Sequence, residues 1–332
     1  MDLVFLLTFT IVVLAIVFDF INGFHDTANA IATSVSSKAL RPRQAILLAS
    51  VMNFVGAMTF TGVAKTITKD IVDPFTLDNG NVVIIGALLA AIAWNLITWY
   101  YGIPSSSSHA LIGSIAGAAI AAAGFHSLNY SGFLNIIKAL IFSPVIAFIV
   151  GYIVYSVFKV VFKNSNLSKT NKRFRRVQIV TAAFQAYSHG TNDAQKAMGI
   201  ITMALIVNQY QSTNEIQTWV QFICALAMAL GTAMGGWKII KTVGAKIIKI
   251  RPVNGVAADL TGAGVILGAT VLHMPVSTTH VISSSILGVG ASHRIKGVKW
   301  GTAQNMILTW ISTLPISALL AGIFYFILNV FL

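Results

Sequence analysis

The sequence predicts an all-α polytopic membrane protein made of two inverted-topology repeats. Each repeat is expected to hold a broken signature helix and a Pro/Ser-tipped re-entrant helical hairpin. Three observations predict this. Of 332 residues, 56% are hydrophobic and 9% charged, with a mean hydropathy of +0.80. A soluble domain carries about 25% charged residues, and so few charges cannot clothe a water-facing surface. Apolar stretches long enough to cross about 30 Å of hydrocarbon recur along the chain. Two polar motifs lie inside these stretches, and both return in the same order about 170 residues later.

The stretches run over residues 3–35, 44–64, 82–102, 104–124, 133–158, 177–207, 218–237, 253–272, 275–291 and 301–332. The first is not a cleavable signal, since it continues into Asp19, Asn22, His25 and Asp26 with no basic residue before it. The stretches 44–64 and 218–237 are long enough to cross. The pairs 82–102 with 104–124 and 253–272 with 275–291 have almost no polar connector. Pro104 followed by Ser105, Ser106, Ser107, Ser108 and His109 breaks the first pair; Pro275 followed by Val276, Ser277, Thr278, Thr279 and His280 breaks the second. An uncharged turn of this kind fits a re-entrant tip buried in protein, where freed backbone groups find partners.

Charge sets the orientation. The net charge of +13 is segregated: Lys38 to Arg43, Lys159 to Arg176, Lys238 to Arg251 and Arg294 to Lys299 hold no acid. Asp2, Asp70, Asp73, Asp78 and Glu215 fall in the other polar gaps or at the N-terminus. This positive-inside pattern places the basic loops in the cytoplasm and both termini outside, with the second half running opposite to the first. It assigns the basic balance to topology and to anionic lipid headgroups rather than to nucleic acid. The expected organisation is a first repeat over 1–158, a basic cytoplasmic linker over 159–176 and a second repeat over 177–332. The lone Cys224 forms no disulfide, and no His or Cys pair has zinc spacing. No cofactor is expected.

The chemistry concentrates in the repeated motifs. Asn22-Gly23-Phe24-His25-Asp26-Thr27-Ala28-Asn29-Ala30 aligns with His189-Gly190-Thr191-Asn192-Asp193-Ala194-Gln195-Lys196-Ala197 through the Gly, the Asp and the final Ala. An acid facing lipid costs at least about 2.5 kcal/mol at mid-bilayer, so Asp26 and Asp193 must be paired, solvated or ligating. Asn22 and Asn29 flank the first, and Asn192 and Gln195 the second. These are hard oxygen ligands of the kind that replace the water shell of an alkali cation. A structural reading stands beside this one, with Asp193 and Lys196 as a salt bridge one helical turn apart. Asp19 and Asp259 have no counterpart in the repeat. The hydroxyls after each Pro read as helix caps. Two such helix starts converging from opposite sides also present amide and hydroxyl donors to an oxyanion. His25, His109, His189 and His280 are expected to fix neighbouring backbone, and Gly113, Gly117, Gly231, Gly235 and Gly236 to serve close packing.

The segments Asp19 to Thr33 and His189 to Gly199, with the two tips, resemble the inorganic phosphate transporter (PiT) family, bacterial branch, over essentially the whole chain. The broader family signature reads Gly-Ala-Asn-Asp-Val-Ala-Asn-Ala; Phe24, His25 and Thr27 depart from it in the first copy, and Thr191, Ala194, Gln195 and Lys196 in the second. The resemblance implies phosphate uptake driven by a sodium or proton gradient, a transport domain moving against a scaffold, and a homodimer in the plasma membrane. It implies phosphate binding among Ser105, Ser106, Ser107, Ser108, Ser277, Thr278, Thr279, Asn192, Gln195 and Lys196. Asp26, Asn29, Asp193 and Asn22 would hold the coupling cation or proton, sodium being the one metal ion in view. Sulfate is the alternative substrate, because some members of the family carry it. An anion channel or an intramembrane hydrolase fits less well. The Gly-x-Ser-Gly and Gly-x-Gly-Asp patterns of membrane proteases are absent from the sequence.

Overall fold

The computed structural model describes residues 2–72 and 79–331. Asp73 and Asp78, assigned above to an outer loop, lie outside the described residues. The first set of helices is α1 (Leu3–His25), α2 (Thr27–Ser36), α3 (Pro42–Ala57), α4 (Gly62–Asp70), α5 (Gly80–Tyr101), α6 (Ser107–Ala123) and α7 (Tyr130–Val161). The second is α8 (Leu167–Asp193), α9 (Gln195–Val207), α10 (Thr218–Met234), α11 (Trp237–Lys246), α12 (Pro252–Val271), α13 (Thr278–Arg294) and α14 (Trp300–Phe331). The sets match element for element. Each opens with a helix interrupted at the signature acid, continues through a bent pair and a hairpin, and closes with a 32-residue helix carrying an internal Pro, Pro144 or Pro315.

Two of the expected crossings are bent. The stretches 44–64 and 218–237 do not cross as single straight helices. The chain turns by 68° between α3 and α4 and by 71° between α10 and α11. At the second bend Gly235 adopts φ +72°, a left-handed conformation that glycine enters without the Cβ clash other residues meet. The basic stretch 159–176 is also mostly helical. Asn166 Oδ1 accepts from Ser168 N at 3.0 Å and Lys169 N at 3.2 Å, so α8 starts at Leu167 and the basic residues from Lys169 onward ride on its first turns.

Packing exchanges partners between the two sets. α3 lies against α8 and α10 against α1; α4 lies against α9 and α11 against α2; α13 lies against α7 and α14 against α6. Glycines let these helices approach. A β-carbon added at Gly23 would overlap the Met228 carbonyl oxygen, and one at Gly231 that of Phe20. Gly190 and Gly56 do the same at the α3–α8 contact, against Asn53 and Tyr187. Gly113 and Gly117 bring α6 onto α14 at Leu314 and Ala318, as expected of close-packing positions. The outer sides of α7 and α14 expose Ile141, Ile149, Ile311, Leu319 and Phe326, an apolar face suited to lipid.

Candidate functional site

Both hairpin turns end deep inside the protein. Ser105, Ser106, Ser107, Ser108, Ser277, Thr278 and Thr279 are all buried. Helix α6 is capped by Ser106, whose Oγ accepts from His109 N at 3.1 Å, and α13 by Ser277, whose Oγ accepts from His280 N at 3.2 Å. These two hydroxyls are therefore occupied as caps. The amides of Ser107, Ser108, Thr278 and Thr279 belong to the first helical turns, where N–H groups have no intrahelical acceptor. The tips touch each other. The His109 and His280 rings lie 4.4 Å apart, and Ser108 Oγ donates to Val276 O at 2.8 Å. Trp310 backs them, stacked 4.1 Å from His280 while its Nε1 donates to Pro104 O at 3.2 Å.

Each signature acid reaches the tip of its own repeat. Asp26 Oδ2 accepts from Ser107 Oγ at 2.5 Å, and Asp193 Oδ2 accepts from Thr278 Oγ1 at 3.0 Å. Three residues after each acid, a side chain crosses to the tip of the other repeat. Asn29 Nδ2 donates to Thr279 Oγ1 at 2.8 Å, and Lys196 Nζ donates to Ser107 Oγ at 3.2 Å. The acid-to-tip contacts are thus two-fold while the crossing contacts end one position apart, and the four elements α2, α6, α9 and α13 are tied through buried polar contacts.

The counter-charges are not two-fold. Asp193 Oδ1 lies 2.7 Å from Lys196 Nζ, and Asp193 Oδ2 lies 3.2 Å from His189 Nε2. The salt bridge within this motif is therefore present. Asp26 Oδ1 instead lies 2.6 Å from His25 Nδ1. Asn22 Oδ1 is 2.9 Å from Ser107 Oγ, so one hydroxyl sits between the Asn22 amide and the Asp26 carboxylate. Asn22 Nδ2 and Asn29 Oδ1 are buried without a hydrogen-bond partner among the described residues. An unpartnered donor and acceptor at such depth are costly unless a ligand engages them.

Other predicted residues stand further back. Ser105 Oγ donates to Thr98 Oγ1 at 2.8 Å. Asn192 supports the second tip, donating to Thr270 Oγ1 at 3.0 Å and Met274 O at 3.2 Å. Gln195 turns toward α4, its Oε1 accepting from Ala64 N at 3.0 Å. Asp259 is held away from the tips by Thr33 at 2.6 Å and Thr181 at 3.0 Å. Asp19 is buried, with neither carboxylate oxygen hydrogen-bonded among the described residues.

The sequence reading missed Thr98, Thr270, Asn53 and Trp310. Thr98 Oγ1 meets His25 Nε2 at 3.0 Å, occupying on the first half the place of Thr270 on the second. Asn53 gathers Thr27, Thr232 and His189 at 2.9–3.0 Å. A lone hydroxyl or amide in an apolar run was the one available signal for three of them.

This arrangement gathers two helix starts, hydroxyls and an ammonium, a donor set of the kind an anion takes, with two carboxylates bonded to the same tips. Residues 22–321 match the phosphate transporter family. A probable low-affinity inorganic phosphate transporter of Bacillus subtilis is 76% identical over 330 residues, covering 99% of each chain. One of the same description from Rhizobium meliloti is 42% identical, covering 98% of this chain and 97% of its own. A solved structure described as the sodium-dependent phosphate transporter superposes with TM-score 0.89 at 25% identity, covering 98% of this chain and all of that one.

Proposed function

The chain belongs to the phosphate transporter family, and we propose that it imports inorganic phosphate by symport with sodium or protons through alternating access. It is a multi-pass membrane protein and not an enzyme, which sets the hydrolase reading aside. The observation that carries the proposal is the coupling of each signature carboxylate to a hairpin tip, Asp26 to Ser107 and Asp193 to Thr278.

Phosphate would sit between the tips, taken by the amides and hydroxyls of Ser107, Ser108, Thr278 and Thr279 and by Lys196. Ser105, Ser106, Ser277, Asn192 and Gln195 would position those groups. The coupling cation or proton would be held around Asp26, Asn22 and Asn29, with Asp193 on the opposite side. Without that ion, the Asp26 carboxylate repels an anion and engages the Ser107 hydroxyl. With it, the negative charge is compensated and the hydroxyl is released to the substrate. Empty but closed tips would be discouraged by the same charge, which suppresses leak. Because the tips are buried, access requires them to part toward one side at a time, and exchange of the two repeats' conformations reverses that side.

The repeats over 1–158 and 177–332 would exchange conformations as a transport domain moves against a scaffold, in a plasma-membrane homodimer with basic loops inside and both termini outside. A carboxylate at each tip favours phosphate over sulfate. Phosphate carries a proton near neutral pH with which to donate, and sulfate has none.

The test is uptake of labelled phosphate into proteoliposomes under a sodium gradient, a proton gradient or neither, with excess sulfate as competitor. Asp26→Asn and Asp193→Asn should each abolish gradient-driven accumulation. Normal accumulation by both variants would remove the coupling role, and a block by sulfate with uptake of labelled sulfate would reassign the substrate.

A further inference from the structure

We infer that the Lys196 ammonium is a built-in cation, occupying beside Asp193 the place that an exchangeable coupling ion takes beside Asp26. The inference rests on the symport reading and assigns one residue as the determinant of how many ions that reading requires.

Asn29 and Lys196 are equivalent positions, each three residues after its signature acid. Their backbones lie alike enough that both side chains reach the opposite tip, at 2.8 Å and 3.2 Å respectively. What differs is the charge. Lys196 is buried with relative exposure of 1%, its Nζ 2.7 Å from Asp193 Oδ1. A three-donor ammonium at that distance neutralises the carboxylate as a coordinated monocation would, without having to be captured from water. The other Asp193 oxygen is taken by His189 and Thr278. A second monocation at this carboxylate would meet the ammonium in a site with little water to screen the repulsion.

The first half has no such tenant. Asn29 is neutral, and among the described residues its Oδ1 has no partner and the Asp26 oxygens have His25 and Ser107 alone. Asp26, reached through the shared Ser107 hydroxyl and carrying His25 on its other oxygen, is the nearest further ionisable group to Lys196, with Asp19 on α1, His109 on α6, His189 on α8 and His280 on α13 around it. Asp193 is the one among them in direct ion-pair contact with it. The two-fold site therefore loads one mobile ion rather than two, and loads it at Asp26.

The test measures phosphate uptake into proteoliposomes against the concentration of the driving ion, sodium or proton. For wild type the dependence should be hyperbolic, with a Hill coefficient of about 1. For Lys196→Asn, which copies Asn29, it should become sigmoidal with a coefficient approaching about 2. Lys196→Arg should retain the wild-type form. A second readout needs no transport: the thermal midpoint of purified Lys196→Asn should rise more steeply with that ion than that of wild type, which binds it at Asp26 alone, sodium chloride compared against choline chloride or low pH against high.

A wild-type coefficient of about 2 would overturn the inference even where the variant fails to fold. So would a Lys196→Asn protein with unchanged ion dependence and only a raised KM for phosphate, which would make the ammonium a substrate ligand alone. Absence of wild-type accumulation under any gradient would instead defeat the symport reading, leaving the variant's ion-dependent stability to decide the role of Lys196.

Discussion

The Asp193–Lys196 pair provides a quantitative check on the centre of the site. The perturbation is a double-mutant cycle of Asp193→Asn, Lys196→Met and both together. The side chains are 0% and 1% exposed and meet at 2.7 Å, so solvent screening does not dilute the interaction as it does at a surface. Removing the carboxylate strands a buried ammonium, whose remaining partner is the Ser107 hydroxyl at 3.2 Å. Breaking a buried pair in this way costs about 3–5 kcal/mol. Lys196→Met should cost less, because His189 at 3.2 Å and Thr278 at 3.0 Å still serve the carboxylate. The double variant has no charge left to strand and should recover much of the loss, giving a coupling energy of about 2–3 kcal/mol. Unfolding in mixed micelles with rising dodecyl sulfate, followed by tryptophan fluorescence, reads all four corners. A loss below about 1 kcal/mol in Asp193→Asn, or a double variant as unstable as that single one, would refute a desolvated pair.

Three further outcomes follow from the same contacts. Ser106→Ala and Ser277→Ala should each cost about 1 kcal/mol through a lost cap with a smaller effect on phosphate uptake than Ser107→Ala, which should lower it sharply; transport and unfolding assays on the three separate capping from binding. Gly23→Ala and Gly190→Ala should each cost about 1–3 kcal/mol by forcing α1 from α10 and α3 from α8, read as reduced yield and earlier detergent unfolding. Lys65→Ala should change stability by less than about 1 kcal/mol despite its 2.6 Å contact with Glu215, since both side chains reach solvent at 36% and 74% exposure. Raising salt should shrink even that difference.

The broad architecture was readable because it is written in periodic and repeated features. The scarcity of charge specified lipid, the duplicated signature specified two copies, and Pro104 and Pro275 marked both buried turns. The bends after Ala57 and Met234 were not readable in this way. The flanking residues stay apolar through each turn, so hydropathy alone cannot separate one straight crossing from two angled pieces. Within the site, Asp26 and Asp193 were visible because an acid in an apolar run is expensive wherever its partners lie. Those partners come from helices far away in sequence: His25 finds Thr98 on α5, and His189 finds Asn53 on α3. No local pattern encodes such meetings. Ser106 and Ser277 show the opposite limit, since capping and substrate binding call for the same residue type at the same position. Only the hydroxyls' own bonds separate those roles.

The exchange of helices between the two sets bears on how the chain is made. When synthesis has delivered α1 to α7, the glycine face of α1 has no α10 to receive and that of α3 has no α8. The first half would then wait in the bilayer with these helix contacts unmade until the second half is elongated. The same interlocking is what two copies of one chain would make. Two separate antiparallel copies of a seven-helix chain, each unfinished alone, would complete one another in this manner, and the short connection at 162–166 is all that now makes them one polypeptide.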